Sequence, residues 1–98
     1  MTWIGKGKVT VGSAGTPVVL SASQLKVNTI MFTYDPADST TTVYVKDASG
    51  NVLAPMSPSG STQPLQFVSP SGNQLDLSKF YVDSALSGKG PYVAYAIE

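Results

Sequence analysis

Between positions 26 and 47 apolar and polar side chains alternate with a period of two, and they do so twice. Ile30, Phe32 and Tyr34 interleave with Met31 and Thr33; Val43 and Val45 interleave with Tyr44 and Lys46. Successive side chains of an extended chain point to opposite faces, so the spacing predicts β-strands over residues 27–34 and 41–46. Asp35-Pro36-Ala37-Asp38-Ser39 supplies turn chemistry between them. The first of these strands is partly apolar on both faces. That fits a strand inside a sandwich or one covered by a neighbouring subunit.

The same pattern continues on either side. Residues 7–11 alternate and are expected to form the first strand, broken by Gly12-Ser13-Ala14-Gly15. Residues 16–20 read as a short extended segment, and Pro17, having no N–H, places it at a strand start or a sheet edge. Ser21-Ala22-Ser23-Gln24 is a polar connection with room for one helical turn and no more. In Asp47-Ala48-Ser49-Gly50-Asn51 the aspartate can bond the backbone two residues on and Gly50 or Asn51 can take positive φ, which predicts a hairpin with residues 51–53. Pro55, Pro58, Pro64 and Pro70 mark loops around one strand at residues 65–68. Asp76 is placed to cap a single turn over residues 75–79. The last strands are expected over residues 80–83 and 91–97, with Val93, Tyr95 and Ile97 on one face and Tyr92, Ala94 and Ala96 on the other.

This amounts to about seven or eight short strands with turns roughly every 8–12 residues. The prediction is one all-β domain over residues 1–98, a compact antiparallel β-sandwich of jelly-roll-like or Ig-like type. The first six residues read as an N-terminal arm. Its Trp3 and Ile4 either lie over an open end of the core or dock on another subunit, and they are the candidate partner-binding residues.

Composition narrows the function classes. With 42% hydrophobic and 12% charged residues, the chain is globular rather than disordered. Six lysines, scattered and unaccompanied by arginine, balance six carboxylates, so the net charge is zero. That argues against a nucleic-acid partner, which needs clustered phosphate contacts and favours arginine forks. No apolar run approaches the roughly 20 residues of a membrane span. The N-terminus lacks the apolar core of a signal peptide, which predicts folding in a cytoplasm. Cysteine and histidine are absent, which removes disulfides, the usual zinc ligands and the histidine base of a nucleophilic triad. Asp35 with Asp38, and Asp47 with Asn51, read as turn formers rather than calcium ligands. Gly5-Lys6-Gly7-Lys8 and Gly88-Lys89-Gly90 precede no helix and are not phosphate loops. The expectation is a protein without catalytic, cofactor or metal sites. Tyr34, Tyr44, Tyr81, Tyr92 and Tyr95 remain, as core and cross-strand packing or as a glycan- or partner-binding face.

Three stretches, in order, carry a family resemblance: Gly15-Thr16-Pro17-Val18-Val19-Leu20, then Thr42-Val43-Tyr44-Val45, then Asp76-Leu77-Ser78-Lys79-Phe80-Tyr81-Val82, followed by a glycine-rich loop and a closing strand. This order resembles the small virion proteins of tailed bacteriophages that decorate or cement the capsid or form the base of head fibres. Lys46 stands where such proteins often place glycine, and Met56-Ser57-Pro58-Ser59-Gly60 replaces their usual P-G-E-S run. The resemblance implies a structural protein of the virion, made in the host cytoplasm and bound to the major capsid protein on the capsid surface, commonly as a homotrimer. A carbohydrate- or host-binding module of a phage fibre or tail is the alternative it leaves open.

Overall fold

In the computed structural model, which describes residues 2–38, 41–56 and 64–97, the chain forms ten strands. They are β1 (Thr2–Lys8), β2 (Val18–Val19), β3 (Lys26–Val27), β4 (Thr29–Thr33), β5 (Val43–Asp47), β6 (Val52–Met56), β7 (Leu65–Val68), β8 (Leu75–Asp76), β9 (Phe80–Ser84) and β10 (Tyr92–Ile97). Two single 3-10 turns, Pro36–Asp38 and Leu77–Lys79, complete the regular structure. Among the described residues no helix is long and apolar enough to cross a membrane.

The strands make two four-stranded sheets, β1-β10-β4-β7 and β2-β9-β5-β6, and a two-stranded ribbon, β3-β8. All pairings are antiparallel. Leaving the ribbon aside, the first strand pairs with the last, the second with the last but one, and so inward to the β5–β6 hairpin. The chain is thus one long hairpin rolled up, closed by the β10–β4 and β9–β5 pairings. That is jelly-roll connectivity, not the strand order of an immunoglobulin sandwich. The expected sandwich is present. It has more strands than expected because β3 and β8, two residues each, pair separately from the main sheets.

The core lies between the sheets, and the strand periodicity placed its members correctly. Ile30 and Phe32 of β4, Val43 and Val45 of β5, Val82 of β9 and Val93 of β10 are buried there with Val9, Val11, Leu20, Val27, Tyr34, Met56 and Leu77. Phe67 meets both Phe32 and Phe80 edge-on, at centroid separations of 5.8 and 5.3 Å.

The connections follow local chemistry. Asp47 accepts from the Ser49 and Asn51 amides at 2.9 Å, and Gly50 takes φ 87°, closing the β5–β6 turn. Asp76 accepts from the Ser78 amide and caps the second 3-10 turn. The polar stretch at residues 21–24 forms no helical turn; the Ser21 hydroxyl bonds the Ser23 carbonyl instead.

Three expectations change. The alternating segments around Ile30 and Val43 are not neighbours. β4 lies between β10 and β7 and β5 lies between β9 and β6, so the connection at Pro36 crosses from one sheet to the other. The single strand expected over residues 27–34 is split at Asn28, whose amide bonds the Ala96 carbonyl and whose carbonyl accepts from Ser69. The first strand begins at Thr2, five residues earlier than expected, so the segment read as an arm is the outer strand of a sheet. Gly5-Lys6-Gly7-Lys8 reads in the sequence as a flexible turn at a strand end. It is a bulge, with Lys6 the extra residue and Gly7 at φ 84°. Beyond Lys8 the segment stays tied to the β9–β10 loop, with Val9 N–H bonded to the Pro91 carbonyl, Val11 N–H to the Lys89 carbonyl and Gly88 N–H to the Val11 carbonyl, while both valines turn into the core.

Candidate functional site

Residues opposite one another in an antiparallel ladder share a face. Ile4, Tyr95, Ile30 and Phe67 form one row across the β1–β10–β4–β7 sheet, and the last three pack on the core. The adjacent row, Trp3, Ala96, Thr29 and Val68, lies on the opposite, outer side of the sheet, where Trp3 and Val68 are exposed while Ala96 and Thr29 are buried. Ala94, Met31 and Gln66 in the next row, and Tyr92 with Thr33 beyond it, lie on the same outer side. Trp3 is 49% exposed, Val68 60% and Tyr92 47%. This outer face therefore holds three of the six large apolar side chains exposed among the described residues, where a solvated sandwich face is ordinarily polar. The two candidate partner-binding residues are consequently separated: Trp3 is presented on the outer face, while Ile4 is half-buried on the core side of the sheet.

A second cluster sits at one end of the sandwich. Lys8 at the end of β1 reaches Asp35 at 2.6 Å and Asp38 at 3.3 Å; Lys89 approaches Asp38 at 3.9 Å. Asp38 is 2% exposed and also accepts from the Gly90 amide at 2.9 Å. The Tyr34 hydroxyl bonds the Asp38 and Thr41 carbonyls beside it. The two aspartates were read only as turn formers. They do form that turn, with Asp35 accepting from Ala37 at 2.9 Å, but their charges also tie it to β1 and to the β9–β10 loop. Nothing in the sequence signals this, because Lys8 lies 27 and 30 residues from its partners.

The arrangement ties the end of β1, the β4–β5 connection and the β9–β10 loop together. The hydrogen bond that the Lys8 ammonium donates to Asp35 keeps its pKa above the ordinary value, so it stays protonated and is neither base nor nucleophile. No cluster of three or more metal-ligating side chains occurs among the described residues.

The other sheet carries Tyr44, Tyr81, Lys46, Val52 and Pro55 on its outer side, with Lys46 and Asp83 joined at 2.6 Å across β5 and β9. The Lys46 ammonium stands 5.9 Å from the Tyr44 ring centroid. The five tyrosines therefore divide three ways. Tyr34 and Tyr95 pack on the core, Tyr92 is on one outer face, and Tyr44 and Tyr81 are on the other. They form no single aromatic platform.

Four carboxyls are held below their ordinary range. For Asp35 the main cause is the Lys8 hydrogen bond, and for Asp47 the Asn51 amide. Burial pushes Asp76 and Asp83 upward. The Ser78 hydroxyl and amide outweigh it at Asp76, and Lys46 with the Ser84 amide outweighs it at Asp83. A depressed folded pKa means that the unfolded chain binds more protons. The stability contributed is present above the ordinary aspartate value and lost as pH falls through the folded values. Thermal melts followed by circular dichroism are expected to be nearly pH-independent between about pH 5 and 8, with the midpoint falling steadily below about pH 4. A midpoint unchanged down to about pH 2 would contradict these assignments.

No family model, curated protein or solved structure matches the chain.

Proposed function

We propose that this protein is a structural virion protein of a tailed bacteriophage, a decoration or cement protein that binds the outer surface of the capsid through the exposed face of its β1–β10–β4–β7 sheet. The observation that carries this reading is that face: Trp3, Val68 and Tyr92 are exposed on it, around Met31 and Ala94. Three large apolar side chains exposed on one sheet face make that face a candidate interaction surface. The family resemblance names the partner as the major capsid protein and the form as a homotrimer. The all-β fold is compatible with the resemblance without deciding function, since jelly rolls serve many roles.

A protein that reinforces a shell must be present in numbers comparable to the shell subunit. Quantitative mass spectrometry of purified particles is expected to give such a ratio. A handful of copies per particle would point to a fibre or tail component, and absence from particles would refute the reading. Truncating residues 1–5 is not the appropriate companion test, because Thr2–Lys8 is a sheet strand. Trp3→Ala is: it should weaken attachment while the domain stays folded.

A further inference from the structure

A sandwich with open sheets must deal with its edges, because an edge strand offers unpaired N–H and C=O groups to any passing strand. Two edges here are visibly blunted. β2 is two residues long and follows Pro17. β6 contains Pro55, which has no N–H, and an extra residue, Leu53, between the Val45–Ala54 and Lys46–Val52 pairs. β7 is set aside, because residues 57–63 shortly before it lie outside the described residues. That leaves β1, the longest strand among those described. Its second half carries the Lys6 bulge. Its first half, Thr2 to Gly5, keeps regular register and pairs only with β10 among the described residues.

The direction of its hydrogen-bonding groups follows from the neighbours. The Ala96 carbonyl accepts from Asn28 at 2.7 Å, so Ala96 bonds toward β4. Trp3, opposite Ala96, is then in a non-hydrogen-bonded pair with it, and its N–H and C=O point away from β10 to the free edge. The same alternation places Gly5 outward, and the Val9 to Pro91 bond at 2.9 Å fits the shifted register beyond the bulge.

We infer that the Thr2–Gly5 edge of β1 is a docking edge that accepts an extended, acidic strand segment of the partner, which pairs with the backbone at Trp3 and sits beside its indole on the apolar outer face. Only an extended chain satisfies an N–H and C=O so aligned. Charge selects its character. The charged side chains of β1 are Lys6 and Lys8; Lys8 is neutralised by Asp35 and Asp38, whereas exposed Lys6 makes no ion pair with any described residue. A second copy of the chain is unsuited. Pairing through the same edge, a second copy would offer its own Lys6 and Lys8 and no carboxylate to Lys6.

This pairing presupposes the shell-binding reading above, and the test separates the two. Empty shells assembled from the major capsid protein of the source particle are titrated with the wild type, Trp3→Ala and Trp3→Pro. Alanine removes the indole and keeps the outward N–H; proline removes both. Proline is tolerated at an edge position whose N–H bonds nothing within the protein, and unchanged circular dichroism verifies it. Trp3→Pro is expected to bind roughly tenfold more weakly than Trp3→Ala, the loss of one backbone hydrogen bond. Lys6→Glu is expected to weaken binding as well. Equal affinities of the alanine and proline variants, both weaker than wild type, would overturn edge pairing and leave shell binding standing. Failure of the wild type to bind shells would overturn both.

Discussion

Gly90→Ala is expected to lower the melting temperature by roughly 12–24 °C, taking about 3 kcal/mol for a clash that cannot relax and about 4–8 °C per kcal/mol for a domain of this size. A Cβ at position 90 would fall 1.8 Å from the Val9 carbonyl oxygen and 2.9 Å from its carbon. Both are backbone atoms, so no side chain can swing aside. The Val9 to Pro91 hydrogen bond fixes the two segments against each other, and the Gly90 amide is anchored on Asp38. Relief requires pulling the end of β1 away from the β9–β10 loop, which would expose Val9 and Val11 from the core. Gly12→Ala is the control. A Cβ there meets nothing within 4 Å and φ is not positive, so a shift within about 0.5 kcal/mol is expected. Thermal melts of the two variants side by side check the prediction. Equal midpoints would mean that the close approach of Gly90 to Val9 does not exist in solution.

Gly90 also shows where sequence reading stops. Its place in a glycine-rich loop was visible, but the reason for glycine was not, because the atom that excludes a side chain belongs to a residue 81 positions away, at Val9. Local rules carried what is local. The alternation of Ile30 and Phe32, of Val43 and Val45, and of Val93, Tyr95 and Ile97 assigned the inward faces. The Asp76 cap and the Asp47 turn were readable because each acts within four residues. Pairing was not readable, since a strand's partner is set by the global roll. β1 and β10, at opposite ends of the chain, are neighbours, whereas β4 and β5, joined by one connection, are in different sheets. The bulge misled for a physical reason: glycine-lysine-glycine in isolation favours a turn, and only the ladder with β10 holds it extended. Of the candidate site, the indole of Trp3 was found as an apolar side chain without context. Its outward orientation and its separation from Ile4 needed the register with Ala96 and Tyr95.

Asp38→Ala is expected to destabilise the fold by about 3 kcal/mol, near the lower end of the range for breaking a buried ion pair because both lysine partners retain solvent contact. That is a sizeable share of the roughly 5–15 kcal/mol that holds a small domain together. The carboxylate is 2% exposed, accepts from two donors, Lys8 and the Gly90 amide, and has the Lys89 ammonium as a further positive charge at 3.9 Å. Its removal leaves a buried N–H without its acceptor and leaves Lys8 with Asp35 alone. Asp38→Asn separates the two contributions. The amide oxygen still accepts from Gly90 but offers no charge to the lysines, so its loss should be smaller than that of the alanine variant. The difference between Asn and wild type should also shrink in about 1 M salt, which screens the half-exposed lysines and leaves a buried hydrogen bond intact. Denaturant titrations of the three proteins at low and high salt make the comparison. If asparagine matched the wild type, alanine alone were destabilising and salt made no difference, the carboxylate would act through Gly90 alone. If neither variant lost stability, the end of β1, the β4–β5 connection and the β9–β10 loop would be held together without Asp38.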